Sequence, residues 1–152
     1  MNLLGERPIF TVAAELASVV DLGATPYGGR RLVGILGGTV RGSRLNGRVL
    51  PGGADWQIVR ADGATDIQAR YTIEAETGAR ILVDSKGLRH GPREVLAALA
   101  RGETVDPSLY YFRTVMRFET ADPAHDWLNR ILALARGERA AQAVRLDVYE
   151  VL

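Results

Sequence analysis

Ile67-Gln68-Ala69-Arg70-Tyr71-Thr72-Ile73-Glu74-Ala75-Glu76 is the stretch that decides the fold. Ile67, Ala69, Tyr71, Ile73 and Ala75 alternate with Gln68, Arg70, Thr72 and Glu74, the period of two that puts one face of a strand in a core and the other in water. Asp62-Gly63 leads into the run, and Thr77-Gly78 joins it to a second strand at 80–83, with glycine where a hairpin turn wants positive φ. Working outward, short apolar stretches bounded by glycine or proline predict further strands at 9–14, 31–40, 45–50, 54–60, 110–119 and 143–151, the second broken by Gly37-Gly38. Two segments carry a helical spacing instead. Residues 93–101 follow Pro92 and stop at Gly102, and residues 122–136 place Trp127, Leu128, Ile131, Leu132 and Leu134 before Gly137. The second helix is expected to pack on or plug the sheet.

The sum is a mainly β chain: an antiparallel β-barrel of about eight or nine strands with two short helices, forming one domain over 1–152. Closure is favoured because it removes exposed strand edges, and a small barrel can enclose one ligand. An open sheet wrapped around the second helix is the competing architecture.

Composition narrows the functional classes. With 152 residues, 47% hydrophobic and 24% charged, the chain can bury a core without a staple, and having no cysteine it can hold no disulfide, iron-sulfur cluster or thiol nucleophile. A net charge of +1 with the signs interleaved gives neither the basic stripe of a nucleic-acid binder nor a polybasic membrane contact. Lys86 is the only lysine among 19 basic residues, which compositional bias accounts for. No apolar run reaches the roughly 18 to 20 residues of a membrane span, and the stretch 9–20 lacks a signal-peptide cleavage pattern, so a cytoplasmic location is expected.

Familiar catalytic motifs are missing. Gly34 to Gly42 is glycine-rich but matches neither the dinucleotide fingerprint nor the P-loop, and no helix follows it. His90 and His125 lie 35 positions apart with no ligand spacing around them, so no metal site is expected. Ser43, Ser18, Ser85 and Ser108 lack a nucleophile-elbow setting. What remains is polar residues gathered on strand faces: Asp55 with Gln57, Arg70 with Thr72 and Glu74, and Tyr111 with Arg113. On an ordinary barrel these face solvent. Turned inward, a carboxylate beside arginines can act as a general base, while tyrosine and arginine stabilise negative charge developing on an oxygen.

Read in order, Gly28-Gly29-Arg30, Gly37-Gly38, Gly42 with Leu45-Asn46-Gly47, Leu50-Pro51-Gly52-Gly53-Ala54-Asp55-Trp56, Ala69-Arg70-Tyr71, Tyr111-Phe112-Arg113-Thr114 and Trp127-Leu128-Asn129 carry a resemblance. Over nearly the whole chain, the sequence resembles the bacterial and fungal family catalogued as domain of unknown function 3237, most specifically through Asp55-Trp56. The resemblance implies a compact β-barrel, akin to those of allene oxide cyclase and dirigent proteins, and no settled reaction. Its polar motif positions are Arg30, Asp55, Arg70, Tyr111, Arg113 and Asn129 here. Thr77-Gly78 stands where an Asp-Gly turn would be usual, a detail of the hairpin alone.

The expectation is then a cofactor-independent isomerase, cyclase or lyase acting on a small hydrophobic carbonyl or phenolic metabolite. Asp55 would be the base, Arg70 and Arg113 would hold the substrate oxygen, Tyr111 would donate a proton, and Arg30, Trp56, Tyr71, Glu74, Trp127 and Asn129 would line the pocket. The alternative is a carrier that binds a small molecule in the same cavity and leaves it unchanged, and a packed barrel with no ligand is a third reading. A homodimer is expected from leftover apolar strand faces.

Overall fold

A computed structural model describes residues 1–152. Along the chain it forms β1 (Phe10–Leu16), β2 (Val20–Thr25), β3 (Gly28–Arg41), β4 (Gly47–Val49), β5 (Gly53–Val59), β6 (Thr65–Ala75), β7 (Arg80–His90), α1 (Arg93–Ala100), β8 (Tyr111–Thr120), β9 (Ala133–Ala140) and β10 (Ala143–Glu150). Two 3-10 segments, Pro107–Leu109 and Pro123–Arg130, flank β8.

The deciding run behaves as its alternation requires. Thr65, Ile67, Ala69, Tyr71, Ile73 and Ala75 of β6 are all buried, and β7 pairs with it from Glu74↔Arg80 to Thr65↔Arg89. Antiparallel pairing continues through β8, β9 and β10 to β1, and β1 pairs with β3, which returns to β6 through β5. Eight strands thus close into an antiparallel barrel, with β2 and β4 as two more beside it along β3.

At the β1–β3 seam the two backbones approach closely. Ala14 of β1 faces Gly38 of β3, where φ is +148° and an added Cβ would run into the Ala13 carbonyl. Only glycine lets the two backbones meet there.

One end of the barrel is filled with hydrocarbon. Phe10, Val40, Leu45, Ile73, Ile81, Met116 and Val148 are all essentially inaccessible there, and Phe10 meets Phe118 edge to face at 5.8 Å. The 3-10 segment after β8 drives Leu128, at 0% exposure, into this cluster. Burying that one side chain contributes roughly 1.5–3 kcal/mol, so the segment plugs the barrel as the sequence suggested. It is held by Asn129, whose Oδ1 accepts from the Thr120 amide at 2.8 Å and whose Nδ2 donates to the Thr120 carbonyl at 2.9 Å.

The expected helix over 122–136 is corrected. Its first part is the short 3-10 plug, and from Ala133 the chain is strand β9. Leu132-Ala133-Leu134-Ala135-Arg136 fits a period of two as well as a helical one, and the buried face is the small one: Ala133 and Ala135 are inside, Leu132 and Arg136 outside. Small residues are needed because the Phe112 ring lies where a side chain on Gly137 would be. Strand β7 also runs seven residues beyond the expected Val83, to His90. The helix expected at 93–101 is α1, ended by Gly102 at φ +78°. No helix is long and apolar enough to cross a membrane.

Candidate functional site

The opposite end of the barrel is built differently. The same inward periodicity that supplies Ile73 and Ile81 at the plugged end supplies Asp55, Gln57, Tyr71, Ser85, Arg89, Thr114 and Arg139 here, with Arg31 behind Gln57. A cavity of ≈ 50 Å³ remains among them, walled on its apolar side by residues such as Val12, Val33, Ile35 and Leu146. A water needs roughly 10–15 Å³ on this measure, so the cavity takes about four waters or a comparable small organic group. A wider groove of ≈ 470 Å³ lies beside it, bordered by the loop after α1, and shares Ala14, Val144 and Arg139 with it.

Asp55 is positioned by a chain of hydrogen bonds. Arg31 Nη2 donates to Gln57 Oε1 at 2.8 Å, Gln57 Nε2 donates to Asp55 Oδ2 at 2.7 Å, and the Gln68 amide donates to Asp55 Oδ1 at 2.9 Å. β5 and β6 pair at Asp55↔Ala69 and again at Ile58↔Asp66; between those points the carboxylate takes the Gln68 amide instead. Burial raises the Asp55 pKa above its ordinary 3.8, against the pull of these hydrogen bonds and of the Arg89 and Arg139 charges. The carboxyl is fixed in place yet closer to a working base than an exposed aspartate.

Arginine surrounds it. Arg89 is 8% exposed, has no hydrogen bond or carboxylate partner in the protein, and lies 5.5 Å from the Phe112 ring centre. Its burial, with Arg139 and Arg31 nearby, lowers its pKa to about 10, so it is charged at neutral pH. Arg139 gives its Nη1 to the backbone carbonyls of Ala140, Ala141 and Ala143, while its amide donates to Tyr110 Oη at 3.0 Å. Three arginines against one carboxylate leave a surplus of two positive charges. Arg31 Nε, Tyr71 Oη and Thr114 Oγ1 are buried with no protein partner. An unmet buried polar group costs about 1–3 kcal/mol, and the two that line the cavity, Tyr71 Oη and Thr114 Oγ1, concentrate that cost where a ligand could relieve it.

Of the residues singled out in the sequence, the structure brings Asp55 and Tyr71 together at this cavity. Arg70 and Glu74 lie on the outer face of β6, Glu74 engaged with Arg48 and Arg80. Tyr111 and Arg113 are on the outer face of β8, where Tyr111, at 46% exposure, stacks on His90 with ring centres 5.0 Å apart and beneath the Arg113 guanidinium. Trp56 is 47% exposed on the outer wall, opposite Leu32, and Arg30 projects outward beside it on β3. Trp127 and Asn129 belong to the plug, Trp127 beneath the Arg44 guanidinium at 3.8 Å. Burial of alternate residues settles each case, because neighbours on a strand face opposite ways.

Arg31, Arg89 and Arg139 were not among the sequence candidates. Arg89 falls beyond the expected end of its strand and Arg139 beyond the expected helix, so neither was assigned a face. Continuing the odd-numbered inward face of β7 past Val83 through Ser85 leads to Arg89, a signal present in the sequence. No three His, Asp or Glu side chains cluster as metal ligands; His125 instead pairs through Nδ1 with Asp122 at 2.6 Å.

A closed antiparallel barrel, packed at one end and carrying a buried carboxylate among arginines at the other, defines the class. The chain belongs to the family described as protein of unknown function (DUF3237), which matches residues 5–151. A relative from Bradyrhizobium diazoefficiens, a UPF0311 protein, is 44% identical over 149 residues, covering 98% of this chain and 97% of its own. The crystal structure of a conserved protein of unknown function from Rhodopseudomonas palustris superposes with a TM-score of 0.92 at 41% identity, over 100% of this chain and 99% of that one. More distantly, the crystal structure of an enzyme from Penicillium herquei shares the fold, with a TM-score of 0.73 at 18% identity over 100% of this chain and 97% of that one.

Proposed function

We propose that the protein is a cofactor-independent isomerase, cyclase or lyase acting on a small hydrophobic carbonyl or phenolic metabolite held in the barrel. The observation that carries this reading is Asp55: a carboxylate in the cavity wall, fixed by Gln57 and Gln68, with its pKa raised by burial. Asp55 accepts a proton from a phenolic oxygen or from a carbon next to a carbonyl. The electron pair left behind is drawn onto the ligand oxygen, where Arg89 and the Tyr71 hydroxyl supply positive charge and a donor. Return of the proton to a different atom of the same molecule completes an isomerisation or ring closure with no oxidant or reductant. Burial raises the Tyr71 pKa well above 10, so its hydroxyl keeps its proton and serves as a donor. The roles first given to Arg70, Arg113 and Tyr111 pass to Arg89 and Tyr71, the groups that reach the cavity.

The shared fold of the Penicillium herquei enzyme supports a catalytic use of such a barrel. A thermal-shift screen of the purified protein against small carbonyl, lactone and phenolic compounds, with mass analysis of each hit, tests the reading. A hit that is returned altered by the wild type and unaltered by Asp55→Asn supports it. A hit that stabilises both forms and is returned intact assigns the protein to the carriers instead. The proposal keeps a cytoplasmic homodimer; Val20, Leu36 and Trp56, exposed on the β2–β3–β5 wall, are the apolar surface that motivates the dimer. A monomeric mass in sedimentation equilibrium would remove that part.

A further inference from the structure

Arg89 asks for something the protein does not provide. It is a buried guanidinium, charged at neutral pH, that makes no salt bridge: the Asp55 charge acts on it without contact, and that carboxylate is engaged by Gln57 and Gln68. Transferring a cation from water into an apolar interior is costly unless a counter-charge meets it. Phe112 offers a ring face at 5.5 Å, a partial compensation. Arg31 and Arg139 add to the imbalance, although each is engaged by other groups: Arg31 by Gln57, Arg139 by three backbone carbonyls. The unmet hydroxyls of Tyr71 and Thr114 line the same cavity, and both can donate.

We infer that the ligand of this cavity is an organic carboxylate: its carboxylate is anchored on Arg89 and receives the Tyr71 and Thr114 hydroxyls, and its apolar body lies against Val12, Val33, Ile35 and Leu146. The inference rests on the interior being a ligand site and adds the chemical class of what enters it. A carboxylate fits better than a neutral phenol, since a phenol with a pKa near 10 brings no charge at pH 7. It fits better than a phosphate, because one wall is hydrocarbon and would lie against an apolar body. Guanidinium and carboxylate also match in shape, two parallel N–H donors against two oxygens. In the proposed reaction the carboxylate is itself the oxygen-bearing group that Arg89 and Tyr71 hold, and Asp55 takes the proton from the carbon next to it, so Arg89 also sets specificity. Seating the anion reduces the surplus of positive charge among the three guanidiniums and Asp55 from two to one.

Isothermal titration of the full-length protein at pH 7 with two isosteric pairs, acetate against acetamide and propionate against propionamide, tests the class of ligand. The acids are expected to bind about tenfold or more tightly than the amides, the advantage of a charge-assisted hydrogen bond over a neutral one. Arg89→Met is expected to erase that preference, Arg89→Lys to retain part of it, and Arg117→Met, on the outer wall of β8, to leave it intact. Should Arg89→Met fail to fold, Tyr71→Phe together with Thr114→Val replaces it and is expected to narrow the preference severalfold. Equal binding of acid and amide, a preference that survives Arg89→Met, tighter binding of inorganic phosphate than of either acid, or no binding of any probe at millimolar concentration would each overturn the inference. Because the readout is binding, it is separable from the catalytic reading. Carboxylate preference without conversion of any ligand leaves this inference standing and removes the enzyme.

Discussion

The two ends of the barrel are made from the same strands with the same inward alternation, and they differ in what the inward positions hold. At one end β6, β7 and β8 turn in Ile73, Ile81 and Met116 beneath the Leu128 plug, all four at 0% exposure. At the other the same three strands turn in Tyr71, Arg89 and Thr114, and a cavity remains. The difference separates two jobs: the apolar end stabilises the fold, and the polar end spends stability on groups that no protein partner satisfies.

The largest stability effect is expected at the plug. Leu128→Ala leaves a void in a packed cluster and should cost about 2–5 kcal/mol, read as a lower urea midpoint with an unchanged slope. If it costs under 1 kcal/mol, the plug is not what holds that end together. For catalysis the large effect moves to the other end: Asp55→Asn should reduce turnover of a substrate found by the screen about hundredfold or more, while Arg113→Ala, on the outer wall, should leave it within about twofold. Equal losses from both would move the chemistry outside the barrel.

A third contrast sets Asp55 against Asp147. Asp147 is buried on the outer wall beneath arginines; burial pushes its pKa up, but the Thr11 hydroxyl at 2.9 Å, together with Arg145 and Arg136, brings it below 3.8. Its contribution is therefore present above its unfolded value and lost as pH falls through its folded one. Asp147→Asn should cost about 1.5–3 kcal/mol at pH 7 and lose less than the wild type on further acidification, by urea titrations at pH 7 and pH 3. Asp55 has the opposite sign. Its folded pKa is raised, so the stability tied to its protonated form is present below about 3.8 and lost as pH rises through the folded value. The smallest effects belong to the orphan hydroxyls. Tyr71→Phe and Thr114→Val should be neutral or stabilising by up to about 1 kcal/mol in thermal melts, and a loss above 2 kcal/mol from either would show that its hydroxyl is already satisfied.

Much of the barrel was legible because alternation is written in single residues. The β6 run places Tyr71 inside without any structure, and Pro92 and Gly102 bracket α1 as expected. The β9 strand was hidden because its inward residues are Ala133, Ala135 and Gly137, which carry no hydrophobic signal, while the leucines that invite a helix face outward. That misreading also hid Arg139, and ending β7 at Val83 hid Arg89. Of the candidate site, Asp55 and Tyr71 could be chosen from the sequence. Which faces of β6 and β8 turn inward depends on the closed ring, and in that ring Arg70, Arg113 and Tyr111 belong to the outer wall. Arginine is an improbable inward residue on composition alone, so reading Arg89 as a core position required knowing that this end of the barrel is not a core.

Titration of the Asp55 carboxyl carbon by NMR in the ligand-free protein tests the central claim most directly. A midpoint clearly above 3.8, abolished as a resonance by Asp55→Asn, is the expected result and marks a carboxylate held in the cavity as a base despite its burial cost. A midpoint at or below 3.8 would contradict it, showing that the surrounding arginines and hydrogen bonds dominate and that Asp55 is a structural counter-ion.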